Sequence, residues 1–148
     1  ASDTEHPQGV LAIAERPKET LDALAPGAVA RYLVLDGVQD PGNVGTLLRT
    51  AAALGVHATL VLPGTVDPWN AKVVRSAVGI QFRHHTVDCT EEELSSFLGR
   101  HHVALWGADA AGADVETLQP PALSFPSCSI ATSLICGNTS SGATRRCL

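Results

Sequence analysis

Short apolar segments alternate with helical segments along most of this chain, and that alternation constrains the fold more than any other feature. Strands are predicted at residues 10–14, 32–35, 58–62, 81–87, 102–106 and 129–136. Helices are predicted at residues 18–24, 43–55, 68–79 and 90–99. Strands that alternate with helices form parallel βαβ units, because parallel neighbours need a long crossover connection. We therefore predict an α/β fold, a parallel sheet with helices on both faces.

Local signals set the expected helix ends. The second helix begins near Asn43, and an apolar face at i, i+3, i+4, i+7 and i+10 is formed by Val44, Leu47, Leu48, Ala51 and Leu54. Gly55 is the expected stop. Asp67 and Pro68 predict an N-cap and the first helical position of the next helix. Thr90 with Glu93 predicts a capping box.

Composition excludes some classes of protein. Hydrophobic residues make up 45% of the chain and charged residues 17%, which is not the composition of a disordered protein. No apolar run approaches the ~18–20 residues of a membrane span. The net charge of −5 does not fit a broadly basic nucleic-acid-binding domain. Residues 49–83, however, hold three Arg and one Lys against a single acid, Asp67, so a nucleic-acid face is predicted there.

The cysteines and histidines predict neither a disulfide scaffold nor a metal site. The four cysteines show no C-x-x-C spacing, which favours reduced thiols in an intracellular protein. Two His-His pairs occur, at residues 84–85 and 101–102. Neighbouring side chains of a strand point to opposite faces, so neither pair can chelate a metal ion from one face. We assign His84 no role and expect it on the surface, at the end of a strand.

The most specific stretch is LVLDGVQDPGNVGTLLRTAAALG, at residues 33–55. A strand runs into a Gly/Pro loop, and Asn43 is placed to cap the helix that follows. Arg49 lies six residues further on, outside the apolar stripe. An arginine beside a helix N-terminus can bind a phosphate or another anion. On spacing alone, an ordinary capped helix with a solvent-exposed arginine is the simpler interpretation.

The pattern D-x-x-x-D-P-x-N-x-G-x-x-x-R-x-A-x-x-x-G resembles motif 1 of the SpoU/TrmH-type RNA methyltransferases of the SPOUT superfamily. Its fixed positions are Asp36, Asp40, Pro41, Asn43, Gly45, Arg49, Ala51 and Gly55. The segment AKVVRSAVGIQFRHH resembles motif 2, with Arg75, Ser76 and Gly79 in place. Residues 1–28 resemble the remnant and linker of a preceding RNA-binding domain, residues 29–138 the methyltransferase domain, and residues 139–148 form a divergent tail.

The resemblance implies a domain with a C-terminal trefoil knot that works as a homodimer. It also implies transfer of a methyl group from S-adenosylmethionine to a ribose 2′-hydroxyl of RNA, with rRNA favoured over tRNA by the Pro-Gln-Gly linker. The family's catalytic positions correspond to Asn43 and Arg49. Because arginine does not normally give up its proton, Arg49 is predicted to clamp phosphate and to activate the hydroxyl electrostatically. Bacterial cytoplasm, mitochondrion and chloroplast all fit the family.

The same resemblance assigns other site residues. Arg75 and Ser76 of motif 2 join Arg49 in contacting RNA or its phosphates, and Gly107 and Gly137 line the cofactor pocket. The family's motif 3 is then only partly present. Residues 133–138, SLICGN, match its strand and Gly-Asn, but TSSG replaces E-G-x-G, and neither I-P-M nor S-L-N follows. The knot is therefore expected to be incomplete, and S-adenosylmethionine is expected to bind weakly or not at all.

Three interpretations stay open at this point. The first is an RNA 2′-O-ribose methyltransferase. The second is a catalytically inactive RNA-binding or dimerising remnant of that family, read from a fragment, a splice form or a shifted frame; the absence of any Met fits such an origin. The third is an unrelated nucleotide-binding α/β module, which the absence of G-x-G-x-x-G and G-x-x-x-x-G-K-[ST] disfavours.

Overall fold

The computed structural model describes residue 9 and residues 13–24, 30–108, 130–135 and 146–147, the last two ranges as strands. Within these ranges the strands are β1 (Arg31–Asp36), β2 (Ala58–Val61), β3 (His85–Asp88), β4 (Ala104–Ala108), β5 (Ile130–Ile135) and β6 (Arg146–Cys147). The α-helices there are α1 (Pro41–Ala53), α2 (Ala71–Ser76) and α3 (Glu91–Arg100). Short 3-10 turns form at Leu21–Ala23 and Ile80–Phe82.

The six strands form one sheet in the order β3-β2-β1-β5-β4-β6, and every pair of neighbours is parallel. The carboxyl ends of all six strands therefore meet at one edge of the sheet. On one side of β1 lie β2 and then β3. On its other side lie β5 and then β4, which follow β3 in the chain in the order β4, β5. The strand order thus reverses between β1 and β5, where Asp36 is paired with Ile135.

Apolar side chains cover both faces of the sheet, as the alternation of the sequence predicts. One buried cluster holds Tyr32, Val34 and Leu60 of the strands against Leu94 and Phe97 of α3. The other holds Leu35 and Val61 against α1 and α2, with Val44, Leu48, Val73 and Ala77. Helices α1 and α2 therefore pack on one face and α3 on the opposite face.

Several predicted elements are confirmed. The strands predicted at 32–35 and 58–62 are β1 and β2. The helix expected near Asn43 begins at Pro41, and the capping box of Thr90 with Glu93 is formed at the start of α3. The strand expected at 129–136 is β5, and the strand expected at 102–106 begins and ends two residues later, as β4.

Other predictions were wrong in ways that have a local cause. The helix predicted to start at Asp67 and Pro68 is the shorter α2, because the Asp67 carboxylate accepts a hydrogen bond from Trp69 N in a turn and Asn70 is the N-cap. The strand predicted over 81–87 begins only at His85, because Gln81 is buried in a 3-10 turn and its Nε2 donates to Pro68 O at 2.9 Å.

Smaller differences concern the ends of elements. Leu54 follows α1 as its C-cap and is 65% exposed, so it does not belong to the apolar stripe. Residues 13–14 of the predicted first strand are not in a strand, and residues 10–12 lie outside the described residues. The segment predicted as a helix at 18–24 forms only a 3-10 turn. Arg146–Cys147, in a stretch without periodicity, pairs with β4 as a short edge strand.

Candidate active site

The carboxyl edge of the sheet, next to β1 and β5, is the place where this topology offers a ligand site. In open α/β sheets, ligands bind outside the carboxyl ends of the strands where the strand order reverses. The register places Asp36 beside Ile135, and Ala108 beside Leu134. The loop that follows β1 leads straight into α1, so motif 1 lies at this edge.

The N-terminus of α1 is fixed by the Asp-Pro pair of motif 1. Asp40 is the N-cap, its Oδ1 accepts from Asn43 N at 2.7 Å, and Pro41 occupies the first helical position, where no backbone N–H is needed. The prediction that Asn43 caps the helix was therefore wrong. Asn43 is the third residue of α1, it is exposed, and its side-chain amide is not used for capping.

Arg49 lies on the exposed surface of α1. A rise of about 1.5 Å per residue puts it about 9 Å along the helix axis from Asn43. Within the described part of the chain, no hydrogen bond or ion pair of its guanidinium is seen, which leaves the side chain accessible to an anion. The structure places both motif 1 residues on one helix, and both are accessible to a large substrate.

Motif 2 contacts motif 1 through a close approach of α2 to α1. Ser76 Oγ donates to Gly42 O at 3.1 Å. Gly45 is buried against the same serine, and a Cβ placed there would lie 2.4 Å from Ser76 Oγ. Gly45 of motif 1 is thus required by the space that Ser76 fills. Ser76, predicted to contact RNA, here holds the first turn of α1.

The loops after β1 and β2 are joined directly to each other. Thr65 Oγ1 donates to Leu35 O at 3.1 Å, and Val66 N donates to Val38 O at 3.0 Å. Gly64 lies in the loop after β2 at φ +90°, a conformation that favours glycine, and Gly37 of the loop after β1 is its neighbour: a Cβ on Gly64 would lie 3.8 Å from Gly37 Cα, an ordinary contact. The loop before α2 is therefore a wall of the same edge of the sheet as motif 1.

The other predicted site residues are Arg75, Gly107 and Gly137, and the structure gives the positions of the first two. Arg75 is exposed near the end of α2. Gly107 is buried in β4, paired with Ser133 and Cys147. Gly137 lies outside the described residues.

A cluster of charged and aromatic side chains beside α2 was not predicted from the sequence. Arg16 forms ion pairs with Asp88 and with Asp67, and its guanidinium carbon lies 5.5 Å from the centre of the Trp69 ring. Trp69 in turn packs edge-on against Phe82, with 5.4 Å between ring centres. These contacts join residues up to 72 positions apart, and no local pattern signals them.

The groups with perturbed pKa values lie away from motif 1. Burial is the main reason that the pKa of His84 falls below its ordinary value, and His84 Nε2 lies 2.9 Å from Thr59 Oγ1. The prediction of a surface histidine was thus wrong, because His84 is 8% exposed.

Burial, reinforced by the charges of Glu93 and Asp88, raises the pKa of the free Cys89 thiol to about 12. Burial also raises the pKa of Tyr32.

Neither a metal-binding cluster nor a membrane-spanning helix occurs in the part of the chain that the structure describes. In these ranges no three His, Cys, Asp or Glu side chains come close enough together to hold a metal ion. None of the helices there combines the length and the apolar character needed to cross a bilayer.

Comparison with known proteins identifies the family. The model of the SpoU rRNA Methylase family matches residues 30–148, which is most of the chain and includes the divergent tail. The chain therefore belongs to the SpoU rRNA methylase family.

Two curated relatives are similar to part of the chain. The 23S rRNA (guanosine(2553)-2′-O)-methyltransferase RlmP of Bacillus subtilis is 42% identical over 81 residues, which are 55% of this chain and 31% of the relative. The mitochondrial rRNA methyltransferase 3A of Danio rerio is 43% identical over 86 residues, which are 55% of this chain and 20% of the relative. The chain thus matches less than a third of either relative's length.

A solved structure has the same fold. The S-adenosylmethionine-bound rRNA methyltransferase of Sinorhizobium meliloti superposes with a TM-score of 0.68 at 22% identity, over 89% of this chain and 57% of that one. The predicted SPOUT-type fold, a parallel sheet with helices on both faces, is confirmed.

Proposed function

We propose that this chain forms the catalytic region of an RNA methyltransferase that transfers a methyl group from S-adenosylmethionine to a ribose 2′-hydroxyl of rRNA. One observation carries the proposal: Asn43 and Arg49 are both exposed on α1, whose first turn is fixed at the carboxyl edge of the sheet by Asp40 and Ser76. The two relatives described above are a bacterial and a mitochondrial rRNA methyltransferase, which supports rRNA over tRNA. The cellular compartment stays a prediction.

The exposed cations between residues 49 and 83 support RNA as the substrate. Arg49, Lys72, Arg75 and Arg83 are all exposed, and Asp67 is the single acid between residues 49 and 83. Arginine binds phosphate through a planar fork of N–H donors. In the proposed reaction, Arg49 binds a phosphate of the RNA, and its charge stabilises the 2′-oxygen as the hydroxyl proton passes to solvent water. The side-chain amide of Asn43, which capping does not use, orients the ribose.

The proposed place for the adenosine-containing cofactor is the reversal of the strand order, where Gly107 is the described residue that supports it. Gly107 is buried in β4, one residue before the carboxyl end of that strand, and carries no side chain that blocks a close approach. When bound, S-adenosylmethionine supplies an electrophilic methyl group. Gly107 and Gly137 are the residues proposed to contact it.

A methyl-transfer assay on unmodified rRNA with labelled S-adenosylmethionine tests the proposal. We expect Arg49→Ala to lower the rate about 100-fold, as loss of a charge-stabilising donor does in other enzymes. Arg100→Ala is the matched control, because Arg100 is an exposed arginine on α3, on the opposite face of the sheet. Equal rates for Arg49→Ala and the native chain would overturn the assignment.

The alternative, an inactive RNA-binding or dimerising member of the family, rests on the loss of the motif 3 pattern after Asn138, although the family model matches the chain through residue 148. Calorimetric titration with S-adenosylmethionine separates the two. Micromolar binding supports the enzyme and contradicts the expectation of weak binding. An absence of binding and of methyl transfer, with RNA binding retained, supports the alternative.

Homodimer formation is part of the same proposal. Val78 and Phe82, between α2 and β3, are 78% and 54% exposed, and Val78 has φ +55°, which is strained for a β-branched residue. Exposed apolar side chains of this kind fit a second copy of the chain. In sedimentation experiments, the double variant Val78→Asn/Phe82→Asn is expected to shift the chain to monomer. Ile13→Asn, which also alters an exposed apolar residue, is the control. An unchanged dimer in the double variant would contradict this surface.

A further inference from the structure

Residues 16–24, which precede β1 in the chain, lie against β3, one of the two edge strands of the sheet. We call this segment the strap. Glu19 accepts from Thr86 N at 3.2 Å and contacts His85 Nδ1 at 2.9 Å, so its carboxylate satisfies an edge-strand donor. Leu21 and Leu24 are buried in the core cluster that contains α3. The strap is therefore packed onto the sheet rather than free in solution.

Arg16 fixes the start of the strap at the carboxyl edge of the sheet. It lies in a cleft of about 470 Å³ and forms ion pairs with Asp88, the last residue of β3, and with Asp67 in the loop before α2. The Asp67 contact is 3.7 Å long. One guanidinium thus joins the end of β3 to the loop between β2 and α2, while it lies over the face of Trp69.

The same loop is rigidly connected to α2. The Asp67 carboxylate accepts from Trp69 N at 2.9 Å, and Pro68 O accepts from the buried Gln81. Asn70, which follows Trp69, caps α2: its side-chain oxygen accepts from Lys72 N at 2.9 Å. A displacement of Asp67 is therefore transmitted to the first turn of α2.

Helix α2 connects the loop at Asp67 to motif 1, because its last residue contacts α1. It ends at Ser76, which donates to Gly42 O and fills the space left by Gly45. A continuous series of contacts thus runs from Arg16, through the loop at Asp67 and helix α2, to the first turn of α1.

We propose that Arg16 is a positioning residue: it fixes the loop between β2 and α2 from outside both motifs, and through α2 it holds the first turn of α1 that carries Asn43. The catalytic importance of that turn rests on the proposed function, whereas the contacts of Arg16 do not depend on it. The ion-pairing side chains are 47% to 56% exposed, so the pairs contribute little to global stability and act on the local geometry.

Hydrogen exchange of the full chain tests the inference without any assay of activity. In Arg16→Gln, we expect the amides of α2 and of the loop before it to exchange about threefold faster, because local opening becomes more frequent, while the midpoint of global unfolding stays nearly constant. In a Trp106→Phe background, the emission of Trp69 reports the loss of its cationic neighbour. Arg16→Lys, which keeps a cation that can pair with Asp67 and Asp88, is expected to retain most of both signals.

Arg100→Gln is the matched control, because Arg100 holds the same strap through Asp22 at 2.8 Å but does not contact the loop before α2. Unchanged α2 exchange in Arg16→Gln, or the same change in Arg100→Gln, would overturn the inference. If the native chain transfers no methyl group while Arg16→Gln alone loosens α2, the proposed function fails and the positioning role stands.

Discussion

Gly45 and Ser76 lie so close together that the space for a side chain at position 45 is filled. A Cβ on Gly45 would lie 2.4 Å from Ser76 Oγ, 2.5 Å from Ser76 Cβ and 2.8 Å from Ala77 N. The last of these is a backbone atom, which cannot rotate away. The contact between motif 1 and motif 2 therefore depends on a glycine in the second turn of α1.

Gly45→Ala is expected to destabilise the protein by about 1–2 kcal/mol, because overpacking outweighs the gain of about 0.5–1 kcal/mol that alanine usually brings to a helix. Gly99→Ala is the matched control, since Gly99 lies in α3 with nothing within 4 Å of an added Cβ, and there the substitution should stabilise. Urea unfolding measures both. Stabilisation by Gly45→Ala would contradict the close helix contact.

Removal of the Ser76 hydroxyl tests the same contact from the other helix. Ser76→Ala loses the hydrogen bond to Gly42 O, and a bond of this kind contributes about 0.5–1.5 kcal/mol. We expect a small loss of stability but a larger loss of methyl transfer, because the first turn of α1 carries Asn43. Ser76→Thr keeps a hydroxyl but adds a methyl group beside Gly45, and is expected to be worse than Ser76→Ala in unfolding experiments. The reverse order would show that Ser76 is not packed against α1.

Acid is expected to destabilise the protein through His84. Burial, with a contribution from His85, lowers the pKa of folded His84, while His57 adds to this and Glu19 opposes it. Below the ordinary pKa of about 6.5, the unfolded chain therefore binds a proton that the folded chain does not. The free energy of unfolding falls as the pH drops through 6.5, until the lowered folded pKa is reached.

Denaturant unfolding at pH 7.5 and pH 5.5 measures this effect. In His84→Gln the decrease between the two pH values is expected to be smaller than in the native chain. His85→Gln serves as the comparison, because His85 is exposed and bound to Glu19 rather than buried. A decrease of the same size in His84→Gln and the native chain would assign the pH dependence to other groups.

Cys89 is expected to be inert in the folded protein. With a pKa of about 12, the thiol is ionised to about one part in 10⁴ at pH 8, and the thiolate is the reactive form. In a variant with Cys128, Cys136 and Cys147 replaced by Ser, a disulfide reagent should modify Cys89 slowly under native conditions and rapidly in denaturant. Rapid modification of the folded chain would show that the site opens readily.

The sequence predicts best where the cause of structure is local. The N-terminus of α1 and the capping box of α3 depend on neighbouring residues, and both helices begin where expected, within two residues. The prediction failed around Asp67, because two adjacent signals compete there: the turn with Trp69 N uses the Asp67 carboxylate, and Asn70 becomes the cap. Spacing alone does not rank two such caps.

Long-range contacts explain the remaining differences. Gln81 and His84 are buried by partners at Pro68 and Thr59, which no periodicity of the chain reveals. The candidate site shows the same difference between local and long-range causes. Asn43 and Arg49 were predicted from motif 1, and their catalytic role stays a prediction; the structure places both on the exposed surface of α1. The role of Arg16 depends on Asp88, 72 positions away, and becomes visible only in the folded chain.

The N-cap of α1 offers a test that separates capping from chemistry at motif 1. Asp40 Oδ1 accepts from Asn43 N, so Asp40→Ala is expected to cost about 1 kcal/mol and to loosen the turn that carries Asn43. Asp40→Asn keeps an oxygen acceptor and should recover most of that loss in urea unfolding. If Asp40 acts only as a cap, Asp40→Asn also recovers methyl transfer. If the carboxylate takes part in the reaction, stability returns in Asp40→Asn but the rate does not. Asn70→Ala, which removes the N-cap of α2, is the matched control for the cost of losing a cap.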